Sequence, residues 1–249
     1  TFIIYVIYFK KYRIFNTYSE MLIPQTIMIT TPNKDTVPQY IWDQYDKYAI
    51  EYKLNIYDDD DCRKFLLDHY GTNFEKKFNE FKKGAHKADF FRYAYLYIHG
   101  GVYLDVKTKL NRPLRTIFRH DVNKCYLVKS VVKNTIYNGI IATPPKNPYM
   151  HQLLYQMMER NDFKDYLINT KEAYSILKDQ FVHTDEIKTG LNKSLINEIS
   201  VFEVFEERNS EKKICKDGLD RYKRCVAIYD NKDNLLFFTR DSNYNKSWK

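Results

Sequence analysis

Short apolar blocks alternate, through the first half of the chain, with stretches whose apolar residues recur every three or four positions. "IPQTIMITTP" (Ile23–Pro32) reads as a turn leading into a buried strand that Pro32 ends. "VPQYIWDQYDKYAIEY" places Ile41, Tyr45 and Tyr48 at helical spacing behind Pro38, a residue suited to a helix start. "YKLNIY" predicts a second strand that runs into "DDDD", where Asp61 is expected to cap the helix "CRKFLLDHY". From Gly84 a helix follows, with Ala88, Phe91, Tyr95 and Ile98 on one face and Asp89, Arg92 and Leu96 on the next. Gly100 and Gly101 end it, and "VYLDV" follows as a strand. Its alternation sets Val102, Leu104 and Val106 on one side and Tyr103, Asp105 and Lys107 on the other.

Strand and helix thus alternate, which predicts an α/β fold whose central, mostly parallel sheet is flanked by helices. After Pro113 the regularity weakens. "KCYLVKSVV", "IYNGIIAT", "CVAIYD" and "LLFFTR" read as strands, the last two around the turn "NKDN". "NPYMHQLLYQMMER", opened by Pro148, and "KEAYSILKDQF" read as helices. There is no internal repeat and no low-complexity linker, so residues 21–249 are expected to form one domain. The apolar start "TFIIYVIYF" is too short to cross a bilayer alone, since that takes about 20 residues. Residues 1–20 are either the tail of a membrane anchor or a buried strand.

At 249 residues and 44% apolar content the chain can fill a sizeable core. Its formal charge of +8 favours anionic partners. The lysines are spread among acids rather than gathered on one element, as a nucleic-acid reader would have them, so no nucleic-acid partner is expected. Cys62, Cys125, Cys215 and Cys225 lack metal-finger spacing. Cys215 and Cys225 either close a short loop, which would add about 3 kcal/mol, or remain free thiols. The histidines, His86, His99 and His183 among them, form no spaced ligand set.

The densest chemistry lies in "KADFFRYAYLYIHGGVYLDVKTKL" (Lys87–Leu110). Residues two apart on a strand project to the same side, roughly 6–7 Å apart. A D-x-D at a strand end would therefore aim two carboxylates at one divalent ion and the diphosphate it holds. Here Asp105 occupies the first position and Lys107 the second.

The segments "IPQTIMIT", "YKLNIYDDDD" and "KADFFRYAYLYIHGGVYLDV", with the ending "SW", resemble the DxD-bearing sugar transferases related to the initiating α-1,6-mannosyltransferases of fungal glycan outer chains. Glucosylating bacterial toxins share the same core motif. The resemblance implies the A-type glycosyltransferase fold, a Rossmann-like nucleotide-diphosphosugar domain. Residues 21–150 would form its nucleotide-sugar core, and 151–249 its acceptor-side and closing region. It implies transfer of a hexose (mannose, glucose or galactose) with retention, from GDP-mannose or a UDP-hexose to a hydroxyl on a glycan, lipid or protein. Asp89 and Arg92 would bind donor sugar hydroxyls, Asp105 the donor ribose and sugar, and Thr30 the donor. Ser247 and Trp248 would close over metal and diphosphate, and Asn138 would stand near the acceptor. A Golgi or endomembrane lumen is implied if the source is eukaryotic, and otherwise a cytoplasmic or membrane-associated location.

Three departures accompany the resemblance. Lys107 replaces the metal-binding acid, the histidine expected shortly before Ser247 is absent from "DSNYNKSW", and the family's H-Q-T is Met28, Ile29 and Thr30. Two carboxylates and a divalent cation sum to zero charge, as do one carboxylate and one ammonium. An ammonium about 4 Å from a phosphate oxygen attracts it by roughly 4 kcal/mol at an effective dielectric near 20. Lys107 is therefore expected, with Asp105, to do the work of the ion, so that Mn²⁺ or Mg²⁺ is weakly required or not required. If a metal is used, Asp105 and Ser247 would hold it. Two other readings stand beside this one: a catalytically degenerate sugar-nucleotide- or glycan-binding protein, and a basic nucleic-acid-binding module.

Overall fold

Strand β1 (Thr26–Thr30) has Ile27, Met28 and Ile29 fully buried, because it lies between two hydrophobic layers. Met28 faces one core, Ile27 and Ile29 the other. The computed structural model describes residues 22–119, 124–181, 186–194, 201–211, 214 and 225–239. Residues 1–20, Cys215, Ser247 and Trp248, and the expectations attached to them, lie outside these described residues. Among the described residues no helix is long and apolar enough to cross a membrane.

β1 pairs in parallel with β2 (Lys53–Tyr57) on one side and β3 (Gly101–Leu104) on the other. The sheet continues through β6 (Ile140–Thr143), β5 (Lys124–Lys129), β8 (Val201–Ser210), β9 (Cys225–Tyr229), β10 (Leu235–Phe238) and β4 (Lys109–Leu110). The order is β2-β1-β3-β6-β5-β8-β9-β10-β4, with β7 (Gly190–Lys193) beside β8. The α/β class is as expected, but the sheet is mixed rather than mostly parallel. Only the β1–β2, β1–β3 and β5–β8 pairs are parallel among the described strands. β5 joins β6, and β9 joins β10, through loops without a crossover helix, and such links permit only antiparallel neighbours.

Alternation divides the side chains of each central strand between the layers. Tyr103, Leu127 and Ile141 join the core built with helices α2 (Asp59–Tyr70), α3 (Thr72–Glu80), α4 (Gly84–His99), α5 (Pro148–Glu159) and α6 (Ile168–Asp179). Val102, Leu104, Val128 and Ile140 join the opposite core, with Ile41 and Tyr45 of helix α1 (Gln39–Tyr48) and with Phe237 of β10. α4 is the exception to amphipathic design. Asp89 to Leu96 are all buried, because α2, α3 and α5 pack around it beneath the sheet.

Two local details position the site. The cap of α2 is Asp58 rather than Asp61: Asp58 Oδ1 accepts the Asp61 N–H (3.0 Å) while Asp61 Oδ2 accepts the Asp58 N–H (3.1 Å). The Gly100–Gly101 pair is dictated by both φ and space. Gly100 has φ +63° and Gly101 φ +99°, and a Cβ on Gly101 would lie 2.7 Å from the Thr26 carbonyl oxygen. Only this turn lets β3 pass from α4 directly alongside β1.

Candidate active site

The parallel strands β1, β2 and β3 bring Thr30, Tyr57 and Asp105 to one edge of the sheet, where open α/β sheets bind ligands. A cleft of about 430 Å³ opens there, and Thr30, Asp89, Arg92, Asp105, Lys107 and Asn138 all line it. These six were expected from sequence to serve the site, and the fold gathers them.

Arg92, 4% exposed, is the hub. Its Nη1 lies 3.4 Å from Asp89 Oδ1 and donates to the Asn138 carbonyl, while its Nη2 lies 3.5 Å from Asp105 Oδ1. The guanidinium sits 4.0 Å from the centre of the Tyr103 ring. Burial works against its charge, but Tyr103, Asp89 and Asp105 more than offset that and raise its pKa. Asp89 and Arg92 are thus a buried pair inside the fold, not an ion pair on a helix surface.

Asp89 is held from the far side. Asn138 Nδ2 donates to Oδ1 (3.2 Å) and Asn169 Nδ2 donates to Oδ2 (2.9 Å). Asn169 Nδ2 also lies 3.1 Å from His86 Nδ1. As the amide can only donate, His86 Nδ1 accepts, which places the imidazole proton on Nε2. Burial pushes the Asp89 carboxyl above its ordinary range, and Arg92, Asn169 and Asn138 counter this only in part. Asn138, expected on the acceptor side, stands directly against Asp89.

Asp105 is poised the other way. Its Oδ1 accepts the Tyr103 hydroxyl (2.8 Å) and its Oδ2 lies 3.4 Å from Lys107 Nζ. Since the Tyr103 proton goes to Asp105, Thr30 Oγ1, 3.2 Å away, donates to the Tyr103 oxygen. Burial pushes Asp105 up, but Lys107, then Arg92 and the Tyr103 hydroxyl, outweigh it and hold the carboxyl below its ordinary range.

Lys107 reaches this position by a route that alternation does not describe. β3 ends at Leu104, and a turn follows in which the Thr108 N–H donates to the Asp105 carbonyl (2.8 Å). Val106 still joins the Val102–Leu104 core, as expected. The Lys107 side chain, 39% exposed, projects over the cleft rather than away from Asp105.

The donor set at Asp105 does not suit a divalent cation. One carboxylate oxygen is taken by a hydroxyl and faces a guanidinium, and the other faces an ammonium. No cluster of three or more His, Cys, Asp or Glu capable of holding a metal exists among the described residues. Cys62 and Cys125 are buried free thiols.

Sequence reading missed Asn169, Tyr103 and His86. Tyr103 had a signal, being two residues before Asp105 on the same strand face. Asn169 and His86 had none, since their link to Asp89 depends on how α6 packs on α4.

Residues 10–124 match the family described as "Glycosyltransferase sugar-binding region containing DXD motif". Over 112 residues the chain is 31% identical to an uncharacterized glycosyltransferase of Acanthamoeba polyphaga mimivirus, a match that spans 45% of this chain and 44% of that relative. The region that carries Asp89, Arg92, Asp105 and Lys107 lies within the family match, and the chain is similar to DXD-containing glycosyltransferases. Among solved structures, the chain is similar to the PaToxG glycosyltransferase (15% identity, TM-score 0.48, covering 64% of this chain and 70% of that one). It is also similar to a transferase mutant (14% identity, TM-score 0.37, covering 67% and 92%). With TM-scores below 0.5, neither defines the fold of this chain.

Proposed function

We propose that this chain is an A-type glycosyltransferase that moves a hexose from a nucleotide diphosphosugar to a hydroxyl acceptor with retention, and that Lys107 takes the place of the metal-binding acid. The observation that carries this is the convergence of Asp89, Arg92, Asp105 and Lys107 on one cleft, with Lys107 Nζ 3.4 Å from Asp105. Two buried or half-buried cations and two carboxylates leave the cleft near neutrality before a diphosphate enters. Asp89, fixed by Arg92 and two amides, is suited to accept sugar hydroxyls. Arg92 and Lys107 are suited to stabilise charge on the departing diphosphate. Lys107 is exposed enough for solvent to screen it, so its contribution falls well short of the unscreened Coulomb figure until substrate excludes water.

In the reaction the bond from the anomeric carbon to phosphate oxygen breaks and one to the acceptor oxygen forms. The acceptor proton passes to the leaving diphosphate, so no side chain needs to act as nucleophile. Asp105, held ionised, orients the donor and Lys107 rather than taking that proton. Mannose, glucose and galactose donors all fit this chemistry, as do glycan, lipid or protein hydroxyl acceptors.

The test is release of UDP or GDP from a panel of hexose donors, with and without EDTA. Turnover that persists in chelator is the expected result. Activity abolished by chelation and restored by Mn²⁺ would overturn the role given to Lys107. Saturable donor binding without nucleotide release would instead make the chain a degenerate binding protein.

A further inference from the structure

Sheet order fixes an order along the cleft. At the β2–β1 end it is lined by Tyr57 and Thr30; Asp105 follows from β3, and beyond it come the β5–β6 loop with Val132 and the loop before α6 with Tyr166. Tyr166 and Val132 are, at 59% and 43%, large apolar-bearing side chains left exposed at this end. Isolated exposed apolar residues need no explanation, but two that line one cleft beyond its polar centre do.

The Tyr166 ring is held rather than loose. Lys83 Nζ lies 5.6 Å from its centre and the His86 ring 6.0 Å from it. Its loop is stiffened by side-chain turns: Asp162 accepts from the Lys164 N–H and Asp165 from the Leu167 N–H, each at 2.9 Å. Asp165 also pairs with Lys171 (2.7 Å). The Ile136 N–H donates to the Thr170 carbonyl (3.0 Å) and ties the β5–β6 loop to the first turn of α6, directly after the Tyr166 loop. A fixed aromatic face next to a hydroxyl-reading centre suits a ring whose C–H edges present an apolar face and whose hydroxyls project sideways.

Resting on the transferase function proposed above, we infer that Tyr166 is the platform of the acceptor subsite and that the acceptor is a saccharide, whose pyranose ring stacks on it. A lipid chain would need a continuous exposed apolar channel, whereas only Tyr166 and Val132 are exposed here, Ile136 being buried and Tyr137 and Leu167 half-buried beside them. The nucleotide occupies the opposite end, by Thr30 and Tyr57, so Tyr166 touches the acceptor and not the base.

The experiment uses the full chain and methyl hexopyranosides and their disaccharides as probes. Nucleotide release is measured with and without probe, and probe binding is measured separately by saturation-transfer NMR. Tyr166→Ala is expected to raise the probe KM about five- to tenfold, the loss of one aromatic contact. The inhibition constant of the nucleoside diphosphate should stay within about twofold, and Tyr166→Trp should restore the probe KM. An unchanged probe KM in Tyr166→Ala, weakened nucleotide binding, or no binding of any saccharide probe to the unaltered chain would each overturn the inference. If the unaltered chain releases no nucleotide from any donor, the transferase function fails. The platform is then judged by NMR alone: saccharide signals lost in Tyr166→Ala support it, and signals retained refute it.

Discussion

Replacing Arg92 by Met keeps an unbranched apolar stem beside Tyr103 but removes the guanidinium, and with it the charge between Asp89 and Asp105. Both carboxylates contact the guanidinium, at 3.4 and 3.5 Å, and Arg92 is 4% exposed, so water cannot take its place. Breaking a buried pair from one side costs about 3–5 kcal/mol, because the remaining charge is left uncompensated. A chain of this size loses roughly 2–4 °C of Tm per kcal/mol, so Tm should fall by about 6–20 °C. The pH dependence identifies the cause. Asp89 already has its folded pKa raised by burial, and losing Arg92 raises it further. A carboxyl with a raised folded pKa contributes stability that is present at low pH and lost as pH rises through that folded value. The destabilisation should therefore be largest near neutral pH and shrink as pH falls toward the ordinary carboxylate range. Urea unfolding of both proteins across pH 4.5–8 measures it. A loss under about 1 kcal/mol, or one independent of pH, would refute the charge-compensating role of Arg92.

Tyr103→Phe removes the hydroxyl that donates to Asp105 while keeping the ring under Arg92. Asp105 should then protonate at higher pH, and the acid limb of the turnover profile should move up; an unmoved limb would show that Asp105 does not control it. Asp58→Ala breaks the reciprocal cap of α2 and should cost about 1–2 kcal/mol in urea unfolding, whereas a loss under about 0.3 kcal/mol would show the cap to be idle. Gly101→Ala forces a Cβ to 2.7 Å from the Thr26 carbonyl at φ +99°, and should lower Tm by several degrees, about the cost of 1–3 kcal/mol of strain; an unchanged Tm would contradict that packing.

Periodicity made much of the fold legible because the signals were local. Ile41 and Tyr45 mark α1, the Ile27–Ile29 run marks β1, and two glycines mark the turn from α4 to β3. The capping of α2 was misassigned by three residues because four consecutive acids offer several equivalent caps, and only the backbone selects Asp58. β8 escaped notice since Glu203, Glu206 and Glu207 interrupt its apolar run. Lys124 and Lys129 of the neighbouring β5 pair with Glu203 and Glu206, contacts that sequence cannot show. Helix α3, packed on α2, also escaped notice, because it carries only Phe74 and Phe78 one turn apart, a short pattern crowded by charges. At the site, spacing drew attention to Asp105 and Lys107, while Asp89 and Arg92 were singled out by the family resemblance. Lys107 was placed on the correct side by alternation, although a turn rather than a strand delivers it. Asn169 was invisible, because nothing in "INTKEAY" marks an amide that reaches a carboxylate 80 positions away.

The exchange of an ion for an amine is tested most directly by titrating Mn²⁺ into the unaltered chain and into Lys107→Asp while following nucleotide release from one accepted donor. The account predicts that the unaltered chain turns over equally in EDTA and in Mn²⁺, and that Lys107→Asp is inactive in EDTA and either regains turnover with Mn²⁺ or stays inactive. An unaltered chain that stops in EDTA and recovers with Mn²⁺, or a Lys107→Asp protein indistinguishable from it, would contradict the account.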